Sequence, residues 1–66
     1  MNLVQGIQEQ IERNQEILKL YEAIGPAGAF GALMIRNAIQ KGKDALGSGD
    51  VVEMLAAYKD LERTKE

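Results

Sequence analysis

Residues 24–39, IGPAGAFGALMIRNAI, decide how this chain folds, because they place a Gly-Pro break directly before a helix that is apolar over much of its circumference. No charge occurs between Glu22 and Arg36, and Gly25, Gly28 and Gly31 recur at a spacing of three. Gly25-Pro26 ends a helix: glycine accepts the left-handed conformation past the last turn, and proline cannot extend a helix but starts one well. A second helix is therefore expected over Pro26–Leu46. At about 100° per residue, Phe30, Gly31, Met34, Ile35, Ala38, Ile39, Gly42, Ala45 and Leu46 cover an arc of roughly 180°, wider than one packing partner closes.

Glycine inside a helix costs about 1 kcal/mol relative to alanine, so Gly28, Gly31 and Gly42 need a compensating use. Small pairs at spacing four, Ala27 with Gly31 and Gly28 with Ala32, admit close approach of another helix. Ligand approach is the other use: the first free amides of a helix starting at Pro26 face outward, and Gly28 lets an anion come near them. The spacing matches neither the dinucleotide fingerprint, since no strand precedes it, nor a P-loop, since Gly-Lys-Ser/Thr is absent.

Working outward, Leu3–Ile24 has the helical period, with Val4, Ile7, Ile11, Leu18 and Tyr21 at spacings of three and four apart from one interruption at Asn14. Leu3, Ile17 and Ile24 widen the stripe beyond a two-helix seam. Asn14, one turn after Gln10, has two readings. Buried amides fix register between helices, the better attested use, or they line a polar pocket between subunits. On the other side, Gly47-Ser48-Gly49 breaks the middle helix, and Asp50 with Glu53 forms a capping box that starts a third helix over Val51–Arg63. Its Val51, Met54, Leu55, Tyr58 and Leu61 are expected to fold back on Met34, Ala38 and Ala45. The tail from Arg63 is expected to fray.

The expectation is thus an all-α fold, one domain over residues 1–66, built as a three-helix unit: a long N-terminal helix, a glycine-rich middle helix and a short C-terminal helix. A chain of 66 residues has a marginal core of its own and usually needs a disulfide, a metal or a partner subunit. With no cysteine and no histidine, disulfides are excluded and the ordinary zinc ligands are missing. A helical homo-oligomer remains, with the first helix pairing with its counterpart and Val4, Ile7, Ile11, Leu18, Ile35 and Ile39 at the interface. The apolar content of 45% beside 27% charge suits such a unit.

The formal charge of −2 is too balanced for duplex nucleic acid. No stretch is long and apolar enough to cross a bilayer and no secretory signal is legible, so no membrane is expected and the chain reads as cytoplasmic. The usual general bases and nucleophiles are absent, and Ser48, the one serine, sits in a turn. Glu9, Glu12 and Glu16 read as a solvated face interleaved with Arg13 and Lys19. No catalytic residue, metal site or cofactor is expected. Tyr21 and Tyr58 suit either packing with the hydroxyl at a wet rim or stacking on a base. Arg36, Lys43, Lys59 and Arg63 suit either a solvated face or phosphate contact.

Residues 45–55, ALGSGDVVEML, followed by Tyr58 and Leu61, resemble small helical proteins of tailed phages. In size and all-helical plan the chain also resembles the viral anti-CBASS sponges, homo-oligomers that sequester cyclic nucleotide signals between subunits. That resemblance implies a non-enzymatic anti-defence protein acting in the host cytoplasm, with a small anionic ligand such as a cyclic nucleotide or an ADP-ribose derivative. The residues that fit such a site are Tyr21 or Tyr58 on the base, Arg36 and Lys43 on phosphate, Asn14 on a polar edge, and Gly28 for close approach. The alternative is a protein–protein inhibitor or adaptor that docks an exposed apolar helix face into a groove of a host enzyme.

Overall fold

The computed structural model describes residues 2–65, and these form an all-helical unit. Helix α1 spans Leu3–Ile24, a short 3-10 turn spans Gly25–Gly28, α2 spans Ala29–Ser48 and α3 spans Val51–Glu62. At about 1.5 Å per residue α1 is roughly 33 Å long, which accounts for the long dimension of 35 Å. Helix α3, at 12 residues, reaches only about 18 Å. It therefore covers little more than half of the α1–α2 hairpin.

Each break has a local cause. Gly25 closes α1 with φ 84° and donates its amide to the Glu22 carbonyl, and Pro26 then sits at the start of the 3-10 turn. That turn delays α2 by three residues relative to the expected start at Pro26. At the other end Gly49 adopts φ 70°, the left-handed cap that a side chain disfavours. Asp50 Oδ1 then accepts from the amides of Val52 (2.8 Å) and Glu53 (3.4 Å). The return half of the expected capping box is replaced: the Asp50 amide donates to Ser48 Oγ at 3.1 Å, a nearer acceptor than Glu53.

The core lies where all three helices meet. Ile7, Ile11 and Ile17 from α1, Ile35, Ile39 and Ala45 from α2, and Met54, Ala57 and Leu61 from α3 form one buried cluster, flanked by the half-buried Leu3, Leu18, Tyr21, Ala38, Leu46 and Tyr58. The interface assignment is corrected here. Ile7, Ile11, Ile35 and Ile39 are buried within the chain, because α1 packs against α2 and α3 of its own chain rather than presenting its stripe to another copy. Leu18 is half-buried against the same cluster, and of the six only Val4 is exposed.

Three further expectations are corrected. Val51 and Leu55 stay exposed, since the buried line of α3 runs through Met54, Ala57 and Leu61. Met34 stays exposed because α3 ends before its covering turn would pass. Ala32, outside the expected apolar arc, is buried.

The glycines of α2's N-terminal half set how closely the hairpin closes. A Cβ at Gly28 would collide with the backbone carbonyl oxygen of Tyr21, and one at Gly31 would meet the Tyr21 ring. Gly42 similarly makes room for Leu61 (3.0 Å) and Ile11 (3.3 Å). Close packing, not ligand approach, is thus the use of these three positions. Gly47 has nothing within 4 Å of its Cβ position. Gly28→Ala is expected to lower stability by about 1–3 kcal/mol through overpacking, whereas Gly47→Ala should raise it by up to about 1 kcal/mol through helix propensity. Urea denaturation of the two variants beside the parent reads the opposite signs.

Candidate functional site

Two of the six residues expected at a ligand, Tyr21 and Arg36, line one hollow of about 330 Å³ with Gly25, Pro26 and Ala32, and the six do not converge as a set. Asn14 is fully buried; its Nδ2 donates to the Gln10 carbonyl (2.8 Å) and to the Leu61 carbonyl (3.1 Å). It ties α1 to the last turn of α3, which is the register-setting reading, and it is closed to solvent. Its Oδ1 has no hydrogen-bond partner. Gly28 lies beneath the Tyr21 carbonyl, as described. The Tyr58 ring rests on Gly6, near the opposite end of α1, where an added Cβ would stand 3.1 Å from it. Arg36 is held by Glu22 at 2.7 Å on the outside of the hairpin. Lys43 is exposed further along α2, with no ion pair to another described residue.

Tyr21 alone among the six lines a groove of about 460 Å³ between α2 and the end of α3. Ile35 is its buried lining, Tyr21, Gly31, Ala38, Asp60 and Thr64 are half-buried, and the exposed Met34, Asn37, Lys41, Arg63 and Lys65 complete it. The Tyr21 hydroxyl donates to the Lys65 carbonyl at 3.3 Å, so the chain's tail crosses over the ring. Asp60 pairs with both Lys41 and, at 3.6 Å, Arg63. Two cations therefore flank one carboxylate. These positions went unremarked in the sequence except Arg63, because Lys41 and Asp60 stand 19 residues apart and only the return of α3 joins them.

Arg13 is the other residue that sequence reasoning missed. It reads as part of a solvated face, yet its Nη2 donates to the carbonyls of Leu61 (2.9 Å) and Glu62 (3.3 Å), with Nε on Gln10 Oε1 at 2.9 Å. A helix leaves its last carbonyls without intrahelical partners. Arg13 supplies one from a different helix and brings its charge to the negative end of the α3 dipole.

Two apolar surfaces remain open. Helix α3 runs parallel to α1: Tyr58 lies at Gly6, Leu61 at Asn14, and Lys65 at Tyr21. Past Glu62 the tail continues along the lane a longer helix would occupy, with Lys65 reaching Tyr21. Leu20 and Ile24 from α1 and Phe30, Leu33 and Met34 from α2, on either side of the Gly25–Gly28 turn, are half or more exposed, Phe30 by 75%. The second surface is the first turn of α3, where Val51, Val52 and Leu55 are exposed. Val4 is exposed at the same end of the bundle.

For chemistry the arrangement offers little. Ser48 Oγ donates to the Ala45 carbonyl at 2.9 Å and accepts from Asp50, a helix-end role. Among the described residues no group of carboxylates is placed to hold a metal ion, and no helix is long and apolar enough to cross a membrane. No family model, curated protein or solved structure matches the chain.

The account of Asn14 as a helix tie is open to a direct check. In Asn14→Leu the Leu61 carbonyl keeps Arg13, the Gln10 carbonyl keeps its place in the helix, and the unpartnered Oδ1 disappears. Stability to urea is expected to stay within about 1 kcal/mol of the parent. A loss several times larger would show that the amide contributes more than its two visible bonds.

Proposed function

We propose that this chain works by protein contact, as a small helical inhibitor or adaptor that presents apolar helix faces to another protein and turns over no substrate. One observation carries the reading: after the chain has folded and closed its own core, nine large apolar side chains among the described residues remain 45–75% exposed. They are not scattered. Five gather at the closed end of the α1–α2 hairpin and three on the first turn of α3. Contiguous apolar surface of this kind marks an interaction site, whereas single exposed apolar residues need no explanation. Amphipathic helices that dock through residues at spacings of three and four recur in protein recognition, and Val51, Val52 and Leu55 offer such a face.

Capture of a small anionic nucleotide signal is the second reading, favoured by the groove that joins the Tyr21 ring to Lys41, Arg63 and Lys65. Its volume lies within the range of small-molecule sites. Arg36 shares a smaller hollow with Tyr21 but is paired with Glu22, and the remaining residues expected for that role serve packing or lie elsewhere on the chain. Calorimetric titration of the parent and of Arg63→Ala with cyclic dinucleotides and ADP-ribose distinguishes the two. Protein contact predicts no heat of binding from either form, and nucleotide capture predicts micromolar binding that Arg63→Ala weakens.

The first reading predicts a separation of stability from binding at the start of α3. Val52→Asp and Leu55→Asp replace exposed side chains, so each should change unfolding free energy by no more than about 0.5 kcal/mol. The same variants should lose a partner that the tagged parent retains in extracts of its own cells. A fall in melting temperature comparable to that of a core variant would mean that these side chains belong to the fold.

A further inference from the structure

We infer that the closed end of the α1–α2 hairpin seats in the surface of a lipid bilayer, with Phe30 and Leu33 entering the boundary between headgroups and acyl chains. The inference goes beyond the protein-contact reading, whose face at the start of α3 lies at the opposite end of the molecule and stays free.

The first ground is that the end is apolar on every side. Residues 23–35 contain no charged and no polar side chain. Met34 borders the groove on the α3 side, while Pro26 and Ala29 border the hollow on the side of Glu22 and Arg36. Ile24 on α1 and Phe30 on α2 are exposed as well. A protein groove takes one stripe of a helix, read at spacings of three and four. A medium that is apolar from all directions takes an end that is apolar all round.

The second ground is the backbone. Within lipid no water reaches a bare amide or carbonyl, and each one left unbonded is costly. The turn bonds its own amides. Gly25 donates to the Glu22 carbonyl, Pro26 has no amide, and Ala29 donates to the Pro26 carbonyl; the 3-10 turn between them bonds each amide three residues back. No side chain caps this turn or the start of α2. At the other end of the bundle, Asn2 and Asp50 cap the helices that begin there.

The third ground is charge and depth. The first charges on the hairpin, Glu22 and Arg36, form a neutral pair at 2.7 Å, and Glu16 with Lys19 forms another behind it. On α2 the uncharged run lasts from residue 29 to residue 35, about 10 Å of helix. Interfacial helices enter the boundary of headgroups and chains by about 5–10 Å, so the run ends where the headgroups begin. Glu22 stands closer to the turn, so the hairpin leans toward α2 and carries Phe30 and Leu33 deepest. A pair without net charge matches zwitterionic headgroups. The occupant is therefore a phosphatidylcholine surface, held by apolar contact rather than ionic attraction. No helix among the described residues is long and apolar enough to cross a membrane, and this seating requires only a helix end.

The chain contains no tryptophan, so Phe30→Trp supplies a single reporter at the hairpin end and Val52→Trp one on α3. With phosphatidylcholine vesicles the Phe30→Trp emission is expected to shift to the blue and the Val52→Trp emission to stay. In flotation the parent should rise with the vesicles equally at low and high salt, and Val52→Asp should rise with it. Phe30→Asp combined with Leu33→Asp should lose on the order of tenfold in bound fraction, with helical circular dichroism unchanged. The inference is overturned by a parent that stays behind, by release at high salt, by an unmoved Phe30→Trp emission, by an equal shift of Val52→Trp, or by a double variant that floats like the parent. A blue shift that grows with protein concentration without vesicles overturns it in favour of a second copy at this end. If the parent ignores vesicles and the double variant loses a protein that the parent captures, a protein covers this end instead. Failure to float leaves the Val52→Asp extract test unaffected, so the two readings fall separately.

Discussion

The Leu61 carbonyl, held at once by Asn14 and Arg13 of α1, is the contact from which the layout of this molecule follows. Helix α3 must stop somewhere, and a helix end buried without acceptor or donor partners is costly. Here the end is positioned by two side chains of another helix, one neutral and buried, the other charged and reaching in from the edge. That anchorage sets the register of α3 along α1. It places Tyr58 over Gly6, Leu61 against Gly42 and Ile11, and the chain's tail over Tyr21. It also places the boundary between the part of the molecule that has three helices and the part that has two.

The two parts solve different packing problems. Where three helices meet, apolar side chains from each close a core, and Gly42 lets Leu61 come within contact distance of α2. Where only two remain, α1 and α2 must lie close to bury anything, and they do so through the Tyr21 backbone over Gly28 and the Tyr21 ring on Gly31. Both glycines sacrifice helix propensity for that approach. Even so, two helices cannot enclose their own side chains, and the apolar residues facing the absent third helix stay in solvent. The surface ion pairs add little to either part, since exposed pairs contribute about 0–1 kcal/mol each. Apolar packing and the ties at the end of α3 hold the fold.

Small chains face a shortage of interior, and this one divides its apolar residues between an interior it completes and surfaces it leaves open. Ile7, Ile11, Ile35 and Ile39 belong to the interior. The open set, Leu20, Ile24, Phe30, Leu33 and Met34, is drawn from the same two helices. Along one helix the two sets differ in depth because α3 is short, not because their side chains differ in kind.

The sequence by itself determined the helices and most of their ends. Gly25-Pro26 and Gly47-Ser48-Gly49 are backbone chemistry, and Asp50 caps α3 through bonds to the next turn, so all of these are local and legible from neighbours. The apolar period likewise identified which face of α1 is greasy, and Asn14 as a polar interruption in it. Only the tertiary structure decided what covers each face. A period of three and four is the same whether the neighbour is the chain's own α3 or another copy, which is why Ile7, Ile11, Ile35 and Ile39 read as an interface and became the core. Arg13 on α3's carbonyls, the cations around Asp60, and the tail over Tyr21 each require two segments far apart in sequence to meet. Their positions are set by how far α3 runs along α1, a distance that no local pattern encodes.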